Sequence, residues 1–310
     1  MNTISLFSGI GGFDKGFIDN GFNIIWANDF DKYAAITYKE NFKNELILGD
    51  INDIALNTIP NFDILLAGFP CQPFSLMGDQ KGFSDTRGTL FFKIAEIVQE
   101  KINIGFKPKV LVLENVRSLK THNKGATFKR ILDILKDNLG YKVFYNILNS
   151  ADYGVPQNRN RTYIVAFANH NANFTFPQKI ELKTTLQDLL EKNVDEKFFL
   201  SEKILPTILS NGTGGYNAKS EIDLKIARPL CATMAKMHRA CQDNYVTQNH
   251  RIRRLTPREC ARLQGFDDSF KIPVSNTQAY KQFGNAVTVN VSSAVAKEVK
   301  KTLIELGEWI

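Results

Sequence analysis

The stretch Ile4-Ser5-Leu6-Phe7-Ser8-Gly9-Ile10-Gly11-Gly12-Phe13 decides the fold. A short apolar run leads directly into glycines, which permit a tight turn and let a ligand approach the backbone where a helix starts. A nucleotide-like ligand fits such a turn. The spacing is not the complete G-x-G-x-x-G fingerprint, however, and the same glycines also serve as a plain strand-to-helix connection. Working outward, the unit recurs. Phe22-Asn23-Ile24-Ile25-Trp26, Ile64-Leu65-Leu66-Ala67, Val110-Leu111-Val112-Leu113 and Tyr163-Ile164-Val165-Ala166-Phe167 read as buried strands, and Asp31 to Phe42 and Leu90 to Lys101 as amphipathic helices. Alternation of this kind implies crossover units, so the expected fold class is α/β, a doubly wound, mostly parallel, Rossmann-like sheet.

From about Phe174 the alternation fades into Lys, Asn, Thr and Gly, including Asn211-Gly212-Thr213-Gly214-Gly215, which predicts turns and few long helices. A smaller, irregular domain is expected there. Val287 to Leu306 then returns to a period near 3.6, a closing helix. The expected division is residues 1–175, 176–276 and 277–310, with the last segment returning to the first domain. A length of 310 residues, 43% hydrophobic and 23% charged, suits an ordinary folded protein and argues against disorder or a fibrous design. No apolar run is long enough to span a membrane and the amino terminus lacks a signal-peptide plan, so a cytoplasmic protein is expected. Cys71, Cys231, Cys241 and Cys260 have no C-x-x-C spacing and do not suggest a disulfide framework. With His238 and His250 they are too irregularly spaced for zinc, and no metal is expected. The net charge of +7 suggests a polyanionic partner. Between Ala218 and Gln264, ten lysines and arginines stand against four acids, the distribution expected of a local phosphate-binding surface.

Chemistry concentrates where strands end. Asp29 closes the second strand, where a carboxylate commonly receives a ribose diol, and Phe30 beside it could pack on an adenine; equally, Asp29 could cap the next helix. Asp50, after Leu46-Ile47-Leu48, invites the same two readings. Gly68-Phe69-Pro70-Cys71-Gln72-Pro73-Phe74-Ser75 follows the strand at Ile64, and a cysteine held between prolines at that edge is better explained by reactivity than by burial. Glu114-Asn115-Val116 brings a carboxyl to the same edge; buried, it could stay protonated and donate a hydrogen bond, or it could cap a helix or pair with a lysine. In Gln157-Asn158-Arg159-Asn160-Arg161 the alternating arginines would point to one side of an extended chain, or form a solvated edge.

Taken in order, Phe7 to Phe13, Gly68 to Ser75, Glu114-Asn115-Val116, Gln157 to Arg161, Arg254 to Phe266 and Gln282-Phe283-Gly284-Asn285-Ala286-Val287 resemble the bacterial DNA cytosine-C5 methyltransferase family, in its compact restriction-modification form. Six motifs in family order cover nearly the whole chain.

The resemblance implies that Cys71 adds to C6 of a cytosine, so that C5 becomes able to attack the methyl group of S-adenosylmethionine, and that Glu114 contacts N3 and the exocyclic amino group. It implies that Arg161 contacts O2, with Arg159 a supporting or phosphate contact. It carries Phe7, Gly9, Ile10 and Gly12 to the methionine end of the cofactor, Asp29 and Phe30 to ribose and adenine, and Asp50 and Ile51 to adenine. Pro70, Leu90, Asn285 and Val287 complete that pocket. Many relatives have tryptophan where Phe30 stands, and the smaller ring should still stack. The partner implied is double-stranded DNA, from which the base must be flipped out. Gln72, Ser75, Arg87, Arg228 and Arg239 are expected to contact it, and Gly78 to Gly88 to close over it. Arg228-Pro229-Leu230-Cys231-Ala232-Thr233 loosely resembles the family's recognition segment. A monomer on DNA is expected, with a cognate restriction endonuclease acting separately. The rival activities are the same chemistry on tRNA and a non-catalytic nucleic-acid-binding homologue.

Overall fold

The computed structural model describes residues 1–70, 90–211, 219–236 and 239–309. Among the described residues, β1 (Asn2–Leu6), β2 (Asn23–Asp29), β3 (Glu45–Leu48), β4 (Ile64–Gly68), β5 (Val110–Val116), β6 (Lys142–Asn149) and β7 (Asn160–Phe167) form one seven-stranded sheet. Its order is β3-β2-β1-β4-β5-β7-β6. The first five strands are parallel, and β7 lies antiparallel between β5 and β6. After β1 the chain builds outward to β2 and β3, then crosses back to β4 on the other side. The carboxyl ends of β1 and β4 therefore flank a topological switch point, the place where open α/β sheets hold ligands.

Both faces of the sheet are covered, which is why its strands read as apolar runs. Because side chains alternate, Leu65, Ala67, Leu111 and Leu113 meet Phe91, Ile94 and Val98 of α3 (Leu90–Asn103) and Ile131 of α4 (Ala126–Asp133). Ile64, Leu66, Val110 and Val112 share the opposite core with Phe13 and Phe17 of α1 (Gly12–Ile18) and Val291, Val295 and Val299 of α8 (Val289–Glu305). Thus the closing helix covers the first one. α2 (Lys32–Asn41) starts on the Asp31 cap, whose Oδ1 accepts from the N–H groups of Tyr33 and Ala34.

β6 is absent from the sequence reading, and its burial explains why. Among the described residues it is an edge strand paired only with β7, and Tyr145 and Asn146 are exposed, so no buried apolar run marks it.

After Phe167 the described elements are short until the carboxyl-terminal helices: α5 (Leu205–Ile208) and the hairpin of β8 (Tyr245–Gln248) and β9 (Arg251–Arg254). Asn249 and His250 turn the hairpin with φ of 49° and 60°, as a two-residue turn that follows strand twist requires. α6 (Pro257–Leu263) begins with a capping box between Thr256 and Glu259 and a proline at its first position. It packs with α7 (Asn276–Asn285) in a further core that also takes Ile10, Ala34, Ala227 and Leu230. No helix among the described residues is long and apolar enough to cross a membrane.

Candidate active site

The glycine turn after β1 is strained, and a carboxylate holds it. Phe7 has φ of 55° and Gly9 56°, a region that costs a non-glycine residue about 1–2 kcal/mol. Asp29, 7% exposed, accepts from the Gly9 N–H through Oδ2 at 2.7 Å and from the Asp31 N–H through Oδ1 at 2.8 Å. Burial pushes its carboxyl above the usual carboxylate range, while these two backbone bonds pull it back. Asp31, not Asp29, is the helix cap, which disposes of that alternative.

The remaining expected cofactor residues lie at the same edge. Phe30 is 71% exposed, unusual for a large apolar ring. Asp50 is exposed and caps the 3-10 turn Ile51–Asp53, and Ile51 is buried beneath it. Pro70 is exposed and Leu90 half-buried at the start of α3. Among the described residues, a Cβ at Gly9 would meet no heavy atom within 4 Å, whereas one at Gly12 would fall 2.1 Å from the Val287 carbonyl oxygen. The far end of the chain is therefore laid directly on the first helix, with Asn285 exposed and Val287 half-buried.

Gly68 pairs in register with Glu114, and Val116 with Arg161. That registry sets the carboxyl beside the strand that leads to Cys71. A Cβ at Gly68 would lie 3.7 Å from Glu114 Oε2 and 3.3 Å from Val287 Cγ2. Glu114 is 8% exposed, and its Oε1 is 3.2 Å from Arg161 Nε. Burial drives the Glu114 carboxyl upward, partly offset by the charges of Arg161 and Arg159. Arg161 also donates through Nη1 to the Asn160 carbonyl. Arg159 is 3% exposed and gives Nη1 to the Leu230 carbonyl at 2.9 Å and Nη2 to those of Gly284 and Ala286 at 3.0 and 2.9 Å. Burial brings it down to about 9. Its guanidinium has three backbone carbonyls and almost no solvent.

Cys71, Gln72, Ser75, Arg87 and the segment Gly78 to Gly88 lie outside the described residues. Arg228 is half-buried, donating to the Ala240 and Lys219 carbonyls and reaching Glu221. Arg239 is partly buried, and its carbonyl accepts from the N–H groups of Gln242 and Asp243.

The basic stretch itself needs correction as a phosphate surface. Arg253 is fully buried in a bidentate pair with Glu259 at 2.8 and 2.7 Å. Arg251 forks onto Glu196 and Arg262 onto Asp268. Arg254 donates to the Met234 carbonyl and lies over Tyr280, and Arg258 donates to the Asp267 and Phe270 carbonyls. Most of these arginines fasten the smaller, loop-rich part to itself, as the planar fork of arginine suits it to do. The surplus of positive charge in the sequence does not separate this use from DNA binding.

Two glutamines inside the quoted motifs, to which the sequence assigns no role, bind backbone groups. Gln264 Nε2 donates to the Phe283 carbonyl at 2.6 Å and its Oε1 accepts from Thr288 Oγ1 at 2.8 Å, fixing the segment that carries Asn285 and Val287. Gln157 Nε2 donates to the Leu263 carbonyl. An isolated polar residue in sequence carries no mark of burial, so only the quoted motifs pointed near them.

A family model described as C-5 cytosine-specific DNA methylase matches residues 1–301. The chain is 43% identical to the Type II methyltransferase M.NlaX of Neisseria lactamica, over 99% of both chains. It is 39% identical to the Type II methyltransferase M.HhaI of Haemophilus parahaemolyticus, over 98% of this chain and 95% of that one. The solved structure of the Entamoeba histolytica methyltransferase EhMeth shares the fold with a TM-score of 0.78 at 21% identity, covering 99% of this chain and 98% of that one. With the family model and these relatives spanning nearly its whole length, the chain belongs to the C-5 cytosine-specific DNA methylase family.

Proposed function

We propose that the chain methylates C5 of a cytosine in duplex DNA by transient covalent addition of Cys71 to C6. The observation that carries this reading is the pairing of buried Glu114 with half-buried Arg161 at the sheet edge, beside Gly68, three residues before Cys71. Cytosine C5 is a poor nucleophile until electrons are driven into the ring. The Cys71 thiolate forms a bond to C6 and the C5–C6 electron pair moves into the ring. Glu114, held up by burial, gives or shares a proton at N3, and Arg161 neutralises charge growing at O2. C5 then takes the methyl group as the methyl carbon–sulfur bond of the donor breaks and leaves a neutral thioether; a base removes the C5 proton, and the restored C5–C6 double bond expels the thiolate. Arg159 acts as a support for this strand, consistent with its carbonyl contacts.

The residues at the edge fit S-adenosylmethionine: space at Gly9 left open by the described residues suits an amino acid end, and an exposed ring at Phe30 with an exposed carboxylate at Asp50 suits a flat base with a hydrogen-bonding rim. When bound, that cofactor supplies an electrophilic methyl group. Phe7, Gly9, Ile10 and Gly12 would hold its methionine end, Asp29, Phe30, Asp50 and Ile51 its nucleoside, and Pro70, Leu90, Asn285 and Val287 would close the pocket.

Residues 1–175 with 277–310 are assigned to catalysis and cofactor binding, and residues 176–276 to target recognition. In support, the large sheet ends at Phe167 and α8 lies in one core with α1, while α5, β8 and β9 are all short. Gln72, Ser75, Arg87, Arg228 and Arg239 are assigned to DNA, Arg228 only if it exchanges its present partners for phosphate. A cytoplasmic monomer with a separate cognate endonuclease completes the reading. Bisulfite sequencing of host DNA after expression tests it. New protected cytosines are expected with the wild type and none with Cys71→Ala. Labelled methyl transfer to tRNA but not to duplex DNA would overturn it.

A further inference from the structure

Gln157 opens the run that ends at Arg161, and the proposed chemistry leaves it without a role. It is fully buried, and both ends of its amide are committed: Nε2 donates to the Leu263 carbonyl at 2.6 Å, and Oε1 accepts from the Leu230 N–H at 2.9 Å. The backbone beside it forms a short ladder with the segment before Leu230. Ala227 N–H donates to the Pro156 carbonyl at 2.7 Å, and Asn158 N–H to the Ala227 carbonyl at 2.9 Å. Two residues on, Arg159 reaches the carbonyl of the same Leu230. From the other side Gly284 presses in so closely that a Cβ there would lie 2.2 to 2.4 Å from backbone atoms of Cys231 and Ala232. The segment thus anchored alternates, with Leu230 buried and Pro229, Cys231 and Thr233 exposed.

An apolar side chain could fill the same space. A glutamine spanning two backbone groups instead fixes their separation, because each bond tolerates only a few tenths of an ångström and either group left unpaired when buried is costly. β7, which begins three residues later, carries Arg161, ion-paired with Glu114. We infer that Gln157 is a positioning residue that keeps the segment 227–232 in register with Arg159 and Arg161. Selectivity among DNA sequences then depends on a side chain buried away from the DNA. A poor fit at the exposed face of the segment displaces Leu230, and through Gln157 and Arg159 it displaces the arginine that faces the ring. A good fit leaves that arginine aligned. The inference rests on the reading of Arg228 to Thr233 as part of the DNA-reading surface.

The test uses the full chain and the duplex target that bisulfite sequencing reveals, with duplexes altered at one flanking base pair. For Gln157→Met, the ratio of kcat/KM between cognate and altered duplex should fall by about tenfold, the discrimination that one base contact ordinarily carries. The KM for DNA should rise, and Kd for S-adenosylmethionine by calorimetry should stay within about twofold, a split that general loosening of the fold would not produce. Gln157→Glu keeps the acceptor for Leu230 but sets a carboxylate oxygen against the Leu263 carbonyl, and should lose selectivity as the methionine variant does. If the methionine variant does not fold, Gln157→Asn, one methylene too short to span both partners, carries the same expectation. A selective wild type whose variants keep its ratio within about twofold overturns the inference alone. A wild type that methylates no duplex DNA overturns the DNA reading, and this inference with it.

Discussion

Replacing Gly12 by alanine tests how the two ends of the chain meet. The added methyl would lie 2.1 Å from the Val287 carbonyl oxygen, 3.2 Å from its carbonyl carbon and 3.3 Å from Phe266 Cζ. A carbon and an oxygen ordinarily stand more than an ångström farther apart than the first of these, and the atom in the way is backbone, so no rotamer change relieves it. The segment that carries Asn285 and Val287 is itself tied down by Gln264, Thr288 and Arg159. Overpacking of this kind costs about 1–3 kcal/mol, equivalent to a fall in Tm of roughly 1.5–5 °C for a chain of this size. Gly9→Ala is the contrast. Its methyl meets no atom of the described residues within 4 Å, so its stability cost should be only the roughly 1–2 kcal/mol of a left-handed φ. It occupies ligand space, so its loss of S-adenosylmethionine affinity should exceed its loss of stability. Thermal unfolding and calorimetric titration of both variants give the comparison. The reasoning is refuted if Gly12→Ala melts with the wild type, or if Gly9→Ala binds S-adenosylmethionine as the wild type does.

Glu114→Gln should lower kcat by about 10²- to 10⁴-fold, the usual weight of general acid catalysis. In the wild type, activity that needs protonated Glu114 is lost as pH rises through its elevated pKa, so the variant's kcat/KM profile should lack that alkaline limb; an unchanged limb contradicts the assignment. Arg253→Met strips the fully buried Glu259 carboxylate of its counter-ion and should cost about 3–5 kcal/mol in urea unfolding, and a loss below about 1 kcal/mol would show the pair to be dispensable. Asp14 is fully buried, accepts from Ser5 and Tyr38, and is raised from 3.8 to about 6. A raised carboxyl stabilises the fold below its unfolded pKa and loses that contribution as pH climbs through the folded value. On the order of 3 kcal/mol should therefore disappear between about pH 4 and 6 in the wild type and not in Asp14→Asn, as denaturant unfolding at the two pH values would show.

The strands that position the site were legible because they are buried on both faces, and the turn at Gly9 because its glycines interrupt an apolar run. β6 was not legible, since an edge strand with Tyr145 and Asn146 exposed shows no buried run. Glu114 and Arg161 could be placed at the sheet edge from strand ends, but their ion pair depends on the antiparallel register of β5 with β7, which no local pattern encodes. Arg159 and Arg161 look alike in sequence and differ only in what surrounds them: three carbonyls bury one, while the other faces Glu114. The arginine-rich stretch misled for the same reason. Its acidic partners Glu196 and Asp268 lie outside the stretch, and its carbonyl acceptors are invisible to a count of charge.

The most direct measurement places 5-fluorocytosine at the methylated position of a duplex. Fluorine at C5 cannot leave as the proton does, so addition at C6 followed by methyl transfer should halt with protein and DNA still joined. With S-adenosylmethionine present, the wild type should give a complex that survives denaturation, with the DNA mapped by mass spectrometry to Cys71, and Cys71→Ala should give none. Methyl transfer by Cys71→Ala, or a trapped complex attached at another residue, would contradict covalent catalysis by Cys71.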